Sequence, residues 1–519
     1  MDSDRIALIA DGGVLTHRAL EAEVRAVARV LAARHGVTRG VRVAALLASD
    51  VPAVLLVHAL AELRAVCIAL NTRLVAGELS SLLERSRPAL LVVDAAHRRL
   101  AEEALSAADV AHLPAGGVRL LAAEELVADA RELVADMREL PMDAAVRDEG
   151  AEARAHGDSA DASTDIQTIL FTSGTTGRPR MVPLTFANHS ASVRASAANL
   201  GARPGDRWLC VLPLFHAGGL AILHRSRHDG SAVELHGRFD AAACARALRG
   251  GVTLASFVPT MLARVLEADS ALDAAAVPML RAVLLGGAAA DASLLAEVAR
   301  RGLPVLSTWG MTETASQAVT VHPAEALRKP GAAGRVLSGM ELRVVCADGR
   351  ECAPGEEGAL QVRGAMLTPG WLDDDAAWHA RMHDGWFDTG DVGALDDEGT
   401  LWVGARREDL IITGGENVAP PEVEAVLAAH PAVAAVCVAG VRDAAWGQVV
   451  GAAVVLRSSV STDELEAHCR ARLAGYKVPR RWLVLQALPM TASGKVRRAM
   501  VRGMMEGAEK KSAEGTEQG

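Results

Sequence analysis

Apolar residues in the first half of the chain follow two alternating patterns, one typical of helices and the other of buried strands. Leu20–Ala33 and Val51–Leu63 have apolar residues at helical spacing. Short apolar runs predict buried strands at Val41–Leu47, Ala65–Leu70, Leu90–Val93 and Ile166–Phe171. The alternation continues to about residue 320 and predicts parallel sheets covered by helices.

The pattern changes at residue 331. Short strands separated by Gly, Asp and Pro, such as Glu341–Cys346, predict an antiparallel β subdomain up to residue 404. Helix and strand patterns from Pro420 to Leu485 then predict a compact α+β domain. The expected fold class is α/β, with two parallel-type α/β sheets and an antiparallel β subdomain in a large N-terminal domain, followed by a small, mobile α+β C-terminal domain.

Domain boundaries follow from these changes. We expect an N-terminal domain over residues 1–405 and a C-terminal domain over residues 406–502. Small polar residues predict a flexible surface excursion at Asp148–Ser163. A composition rich in Glu, Lys and Gly predicts a disordered tail at residues 503–519.

Composition excludes some classes of function. The formal net charge of −10 argues against a nucleic-acid coat, which needs a basic face. The N-terminus lacks the features of a signal peptide, and the longest apolar run, Val51–Leu60, is too short to span a bilayer. The cysteines are dispersed, so we interpret them as reduced thiols and expect Cys346 and Cys352 to be unpaired. These features predict a cytoplasmic protein without a nucleic-acid partner or a membrane span.

A loop rich in glycine and hydroxyl groups directly follows the strand at Ile166–Phe171. Its glycines let the backbone approach a ligand, and its hydroxyls and arginines can donate to phosphate oxygens. We favour a phosphate cradle over an ordinary turn, although the Walker A pattern is absent. The residues expected to bind phosphate are Thr172, Ser173, Gly174, Thr175, Thr176, Gly177 and Arg180.

A second motif begins where the predicted strand Val305–Thr308 ends. Ligands of open α/β sheets bind at the carboxyl ends of strands, so Glu313 could hold Mg²⁺ and Trp309 could face a purine. Taken alone, the motif is better explained by a helix cap at Thr312 with a solvated Glu313.

The third motif, Gly385–Asp391, places a carboxylate in a tight turn. Asp391 could accept both hydroxyls of a ribose, with Arg406 supporting the same sugar. A plain β-turn explains this segment equally well.

The fourth motif, Leu488–Lys495, ends in a lysine on a turn that contains glycine. The ammonium group of Lys495 could stabilise charge that develops at a reacting phosphate. A surface lysine without function is the ordinary alternative.

The fifth motif is the apolar segment Leu212–Leu220, which contains His216. A buried histidine with satisfied hydrogen bonds is the default interpretation. The functional alternative is a wall of an acid-binding pocket.

In order and spacing, these five segments resemble the adenylate-forming superfamily of acyl-CoA synthetases, firefly luciferases and peptide-synthetase adenylation domains, from about residue 5 to residue 502. The resemblance implies that a carboxylic acid attacks the α-phosphate of ATP and releases pyrophosphate. A thiol then attacks the acyl-adenylate and releases AMP. The implied cofactors and co-substrates are ATP, Mg²⁺ and coenzyme A.

The resemblance also implies a role for each segment. Thr172–Arg180 would hold the β- and γ-phosphates, Thr312 would contact the α-phosphate and Glu313 the magnesium ion. Lys495 would assist adenylation and then move away by a domain rotation near Arg407–Asp409. The remaining assignments are Gly286, Gly287, Ala288, Trp309 and Gly310 for adenine, Asp391 and Arg406 for ribose, and Gly414, Gly415 and Trp446 for coenzyme A.

Within the superfamily, the chain is most similar to the o-succinylbenzoate–CoA ligases of menaquinone biosynthesis. Their substrate carries two carboxylates, and arginine pairs well with a planar anion, so Arg225 is our hypothesis for the remote carboxylate. His216 and Ser316 would complete the acid site. A helix-surface arginine explains Arg225 equally well. The similar segments are Leu70–Leu74, Asp206–His216, Gly219–Ser226 and Gly310–Gln317.

Three features depart from the family pattern. Arg180 and Met181 stand where the family usually has Lys and Gly, Ala405 replaces a usual Gly, and the excursion at 113–163 is longer than expected. None of them removes a catalytic group.

The alternatives to an o-succinylbenzoate–CoA ligase are another aryl or medium-chain acid–CoA ligase, a stand-alone enzyme that loads a carrier protein, and an inactive binding protein. Assembly into a homo-oligomer also stays open.

Overall fold

A computed structural model describes most of the chain. The described residues are 4–10, 12–114, 117–139, 164–172, 179–288, 290, 292–326, 328–406, 411–413, 416–418, 420–443, 446–473, 475–491 and 495–514. The chain divides into two compact units, which are Met1–Ala289, Ala296–Glu341 and Arg363–Gly385 in the first, and Ala290–Leu295, Leu342–Val362 and Trp386–Gly519 in the second. Within the described residues, no helix is long and apolar enough to cross a membrane.

Helices and strands alternate through the first 300 residues, as predicted. The strands are β1 (Ile6–Ala10), β2 (Gly13–Thr16), β3 (Arg42–Leu46), β4 (Val66–Ala69), β5 (Leu90–Val93), β6 (Arg119–Ala122), β7 (Ile166–Thr172), β8 (Arg180–Thr185), β9 (Arg207–Cys210), β10 (Ala232–Leu235), β11 (Leu254–Phe257), β12 (Ala282–Leu285), β13 (Val305–Trp309), β14 (Val319–Thr320), β15 (Arg335–Val336), β16 (Met340–Val345), β17 (Gly358–Gly364), β18 (Met382–His383), β19 (Trp386–Leu395), β20 (Leu401–Arg406), β21 (Ile411–Thr413), β22 (Glu416–Val418), β23 (Val433–Asp443), β24 (Gly447–Leu456) and β25 (Arg481–Leu485). The α-helices are α1 (His17–His35), α2 (Val51–Glu62), α3 (Ala76–Ser86), α4 (Arg98–Ala107), α5 (Ala123–Glu139), α6 (Phe186–Leu200), α7 (Ala217–Asp229), α8 (Ala241–Arg249), α9 (Pro259–Ala268), α10 (Ala292–Arg300), α11 (Asp375–Ala380), α12 (Pro420–Ala428), α13 (Thr462–Arg470) and α14 (Arg498–Glu514).

The first unit contains two largely parallel sheets, which confirms the predicted α/β class. One has the order β15-β14-β13-β12-β11-β9-β10-β1-β2, and the other has the order β6-β5-β3-β4-β7-β8. In the first of these sheets, β9 lies between β10 and β11 and is parallel to both. The chain therefore changes direction across the sheet at β9, and such a switch point is where open α/β sheets bind ligands.

The second unit contains the antiparallel strands and the small α+β region that the sequence predicts. β19 pairs in antiparallel fashion with β17 and β20. The α+β region has a sheet of β21 to β25, with α12, α13 and α14 packed on it. Its core is mostly small and branched apolar residues, such as Val438, Val450 and Val454.

The predicted disordered tail at 503–519 is wrong for most of its length. Helix α14 continues to Glu514, and residues 515–519 lie outside the described part of the chain. Val501 and Met505, one helical turn apart, are buried against Cys437 and Val449 of the sheet. The polar composition of the segment concealed this narrow apolar stripe.

The prediction that Cys346 and Cys352 are unpaired is also wrong. They form a disulfide with a Cα–Cα distance of 5.4 Å. Val345 pairs with Glu351 across the turn between them, and this local hairpin brings the two thiols together. The other cysteines are buried thiols, as interpreted from the sequence. The predicted excursion at Asp148–Ser163 lies outside the described residues.

Candidate active site

The predicted phosphate loop connects β7 to β8. Its end residues, Thr172 and Arg180, are paired across the antiparallel hairpin. The hairpin thus fixes both ends of the loop at the carboxyl end of a buried strand. The loop residues Ser173, Gly174, Thr175, Thr176, Gly177 and Arg178 lie outside the described residues.

Arg180 and Met181, which depart from the family pattern, have clear packing roles. The Arg180 guanidinium lies over the ring of Trp371, with Cζ 4.0 Å from the ring centroid. Met181 is buried in the core of the six-stranded sheet, together with Ile68 and Leu70. A side chain at position 181 therefore anchors the end of the loop where the family's usual glycine would leave space.

The predicted adenine residues lie at the carboxyl ends of β12 and β13, which are neighbours in the sheet. A Cβ at Gly286 would lie 2.6 Å from Thr308 Cγ2, so only glycine lets the two strand ends approach this closely. Gly287 has φ of +80°, and Ala288 follows it. Trp309 is the last residue of β13 and is buried. These residues are brought together at one edge of the sheet.

Glu313 lies in a short 3-10 turn, Thr312–Thr314, that follows β13. It is only 7% exposed, and its Oε1 accepts a hydrogen bond of 3.1 Å from Trp371 Nε1. The alternative of a solvated Glu313 is therefore wrong. A buried, oriented carboxylate is the kind of oxygen ligand that suits Mg²⁺, so the position fits that ion.

The backbone after this turn is strained. Ala315 and Ser316 have φ of 52° and 104°, and neither is glycine. Ser192 Oγ donates to the Ala315 carbonyl at 3.0 Å, which helps to hold the turn. Such conformations cost about 1–3 kcal/mol each and are concentrated at functional sites. A Cβ at Gly310 would lie 1.8 Å from the Ser316 carbonyl oxygen, which explains the glycine.

His216 follows β9, at the switch point of the nine-stranded sheet. It is the N-cap residue of α7, and its ring lies 4.6 Å from that of Phe215. Gly219, in the first turn of the helix, is required because a Cβ there would lie 2.4 Å from the Pro213 carbonyl. The close approach at Gly219 therefore fixes the backbone of the turn that carries His216.

Arg225 is buried in α7, with 2% of its surface exposed, so the helix-surface interpretation is wrong. Among the described residues, its Nε and Nη2 have no hydrogen-bond partner. Burial lowers the pKa of Arg225 to about 10, so the side chain is still cationic at neutral pH. Its Cζ lies 5.4 Å from the Trp208 ring centroid. The charge of Asp229 offsets part of this lowering, and an anionic ligand at Nε and Nη2 would offset more of the cost of burying the cation.

His224, the residue before Arg225, interacts with two other histidines, His58 and His189. Burial lowers the pKa of His58 to about 3 and that of His224 to about 4, and nearby arginines lower both further. Burial also lowers the pKa of His189, whose ring centroid lies 4.4 Å from that of His224. These histidines are therefore neutral in the folded chain.

We expect the free energy of unfolding to fall as the pH falls from about 6.5 toward 4, because these histidines bind protons in the unfolded chain before they do so in the folded chain. Each histidine lowers the free energy of unfolding by up to about 1.4 kcal/mol per pH unit. Urea unfolding at several pH values would measure this slope. His224→Gln should reduce this slope by the contribution of about one proton. His228→Gln, at an exposed position of the same helix, is the comparison variant. Equal slopes in the wild type and His224→Gln would contradict the assignment.

The predicted ribose residues face each other in the second unit. Asp391 of β19 is paired with Arg406 of β20 across the antiparallel ladder. Asp391 is buried, and its backbone N–H donates to Thr389 Oγ1 at 3.1 Å. The backbone of Arg406 is described but its side chain is not, and the predicted hinge at Arg407–Asp409 lies outside the described residues.

Lys495 closes a tight turn in the second unit. Its backbone N–H donates to Thr491 Oγ1 at 3.0 Å, and the Thr491 N–H donates to the Lys495 carbonyl at 2.6 Å. The turn presents the lysine at the surface.

Trp446 is 42% exposed, and the Arg480 guanidinium lies over its ring at 4.3 Å. Sequence reasoning missed Arg480, since 34 residues separate the pair. Gly414 and Gly415, the other predicted coenzyme A residues, lie outside the described residues.

Comparison with protein families decides the relationship. The AMP-binding enzyme family matches residues 1–372, and the AMP-binding enzyme C-terminal domain matches residues 422–495. The chain belongs to the AMP-binding enzyme family. The predicted resemblance to adenylate-forming enzymes is thereby confirmed.

Relatives within this family of AMP-binding enzymes are similar over almost the whole chain. A 2-succinylbenzoate–CoA ligase of Bacillus velezensis is 39% identical over 507 residues, which are 97% of this chain and 96% of that protein. The o-succinylbenzoate CoA synthetase of Bacillus subtilis, in complex with its acyl-adenylate intermediate, is 37% identical with a TM-score of 0.82 and covers 97% and 96% of the two chains. The same synthetase with ATP and a magnesium ion is 36% identical with a TM-score of 0.82, covering 98% and 97%.

Proposed function

We propose that this chain is an ATP-dependent acid–CoA ligase that converts 2-succinylbenzoate to its coenzyme A thioester. It would first form the acyl-adenylate with release of pyrophosphate and then transfer the acyl group to coenzyme A with release of AMP. The similarity to 2-succinylbenzoate–CoA ligases over 97% of the chain supports this reaction.

The buried Arg225 is the residue that supports a diacid as the substrate. A substrate with two carboxylates can place one at the reacting phosphate and the other against this guanidinium. The second carboxylate would give Nε and Nη2 the hydrogen-bond partner that the described residues do not supply. His216, at the N-terminus of the same helix, and Ser316 would line the acid between these two points.

The ATP site would be built from the strand ends of the first unit. Thr172–Arg180 would hold the β- and γ-phosphates, and Thr312 the α-phosphate, while Gly286–Ala288, Trp309 and Gly310 would enclose adenine. Magnesium, when bound, would offset the charge of the phosphate oxygens. Glu313 would hold it through its carboxylate.

The second unit would supply the ribose, catalytic and coenzyme A residues. Asp391 and Arg406 would bind the ribose, and Lys495 would stabilise the charge that develops during adenylation. Gly414, Gly415 and Trp446 would contact coenzyme A, with Arg480 adding positive charge beside Trp446. We place the domain boundary between residues 405 and 406, which leaves Lys495 on the smaller domain.

A screen of acids for pyrophosphate release tests this proposal. We expect 2-succinylbenzoate to give the highest kcat/KM, with simple aryl acids and medium-chain fatty acids far behind. Release with coenzyme A should exceed release without it, because the thiol step clears the adenylate. Strong activity on fatty acids and none on 2-succinylbenzoate would overturn the choice of acid, and release that requires a carrier protein would overturn the choice of thiol.

A further inference from the structure

Trp371 lies between two groups that belong to the proposed ATP site. Its ring lies beneath the Arg180 guanidinium, with Cζ 4.0 Å from the ring centroid. Its indole N–H donates to Glu313 Oε1 at 3.1 Å. One side chain therefore contacts both the last residue of the phosphate loop and the candidate magnesium ligand.

The surroundings of Trp371 hold it in one orientation. It is 3% exposed, and its ring meets that of Trp378 edge-on, with centroids 5.3 Å apart and an interplanar angle of 76°. The next backbone N–H, of Leu372, donates to the Met181 carbonyl at 3.0 Å. This hydrogen bond joins the residue after Trp371 to the residue after Arg180.

A second link joins the same two segments from the other side. Arg85 Nε donates to Asp373 Oδ2 at 2.7 Å, and Arg85 Nη2 donates to the Pro179 carbonyl at 2.5 Å. Arg85 therefore bridges the residue before Arg180 and a residue two positions after Trp371. Hydrogen bonds of Arg85 and Leu372 therefore hold the end of the phosphate loop against the Trp371 segment.

We propose that Trp371 is a positioning residue that couples the end of the phosphate loop to Glu313 and so sets the affinity for magnesium-bound ATP. This inference rests on the proposed function, which supplies the nucleotide and the ion. A carboxylate has about four lone-pair sites, so Glu313 can accept the indole bond and still ligate a metal. Partners of this kind orient metal ligands, and their loss typically weakens metal affinity by about 10- to 100-fold.

The stack also explains the arginine at position 180. A planar guanidinium lies flat on an aromatic face, whereas a lysine ammonium is a compact charge with no matching plane. The ring of Trp371 therefore favours arginine over lysine at this position.

Equilibrium binding of ATP to the full chain, measured by calorimetry with Mg²⁺ and with EDTA, tests the coupling. Trp371→Phe keeps a ring under Arg180 and removes the N–H donor. We expect the Kd of magnesium-bound ATP to rise about tenfold, while the Kd in EDTA stays within about twofold of wild type. In a Glu313→Gln background, Trp371→Phe should add little further loss.

Trp402→Phe is the matched control, because Trp402 Nε1 also donates to a carboxylate, that of Asp396, at an exposed position. It should bind ATP as the wild type does in both conditions. Equal losses with and without Mg²⁺ in Trp371→Phe, or no loss at all, would overturn the inference. Failure of the wild type to bind magnesium-bound ATP would instead overturn the proposed function.

Discussion

Replacing Lys495 with alanine should lower the rate of acyl-adenylate formation by about 100- to 1000-fold, the usual effect of removing one donor that stabilises transition-state charge. Lys495 is exposed, and in the proposed function its ammonium would stabilise the charge that develops at the reacting phosphate. Conversion of supplied acyl-adenylate to the thioester should change by no more than about threefold, because the lysine acts only in the first step. Pyrophosphate exchange measures the first step, and thioester formation from supplied acyl-adenylate measures the second.

Lys477→Ala is the matched control for this experiment. Lys477 also lies in the second unit, and its Nζ donates to Glu422 Oε1 at 2.6 Å. Its replacement should leave both half-reactions near the wild-type rates. An equal loss of both half-reactions in Lys495→Ala would contradict the assigned role.

Replacing Arg225 with alanine should raise the KM for 2-succinylbenzoate by about 100-fold, equivalent to about 2.7 kcal/mol of lost binding. The reason is that a buried guanidinium would no longer meet the second carboxylate. The KM for ATP should stay near the wild-type value. Initial rates over a range of both substrates would separate these effects.

Two monocarboxylic analogues make the test of Arg225 specific. 4-Oxo-4-phenylbutyrate lacks the aromatic carboxylate, and 2-butanoylbenzoate lacks the aliphatic one. Whichever analogue reacts should have a similar KM with the wild type and with Arg225→Ala. Arg227→Ala, which removes a partly exposed arginine paired with Glu62, is the control variant. An unchanged KM for the diacid in Arg225→Ala would refute the assignment.

Arg225→Met distinguishes a binding role from a structural one. The methionine keeps much of the volume and removes a buried charge that lacks described partners on Nε and Nη2. Stability should therefore hold or rise in the absence of acid, while the KM for the diacid rises. A drop in thermal stability would indicate that Arg225 serves the fold instead.

Sequence patterns predicted the elements that have strong local signals. The apolar run at Leu90–Val93 is a strand with the predicted bounds, because a continuous apolar run flanked by turn residues has few alternatives. The sequence patterns did not predict short or edge strands such as β1 and β6, because these strands depend on the strands they pair with. Helix α14 was not predicted because its apolar stripe is narrow.

The site shows the same division between local and distant information. Loop composition and strand ends were sufficient to single out Thr172 and Glu313 as candidates, whereas Arg225 was singled out by the resemblance to ligases of a diacid. The contacts of Trp371 with Glu313 and Arg180 join residues that are 58 and 191 positions apart in the chain. Nothing local in the sequence indicates such contacts, and only the packing of the folded chain reveals them.

The most direct test of the central claim is identification of the products formed from ATP, 2-succinylbenzoate and coenzyme A by chromatography and mass spectrometry. We expect AMP, pyrophosphate and the 2-succinylbenzoyl thioester in equal amounts, with the acyl-adenylate accumulating when coenzyme A is left out. Formation of ADP and phosphate, or no thioester from this acid, would contradict the central claim.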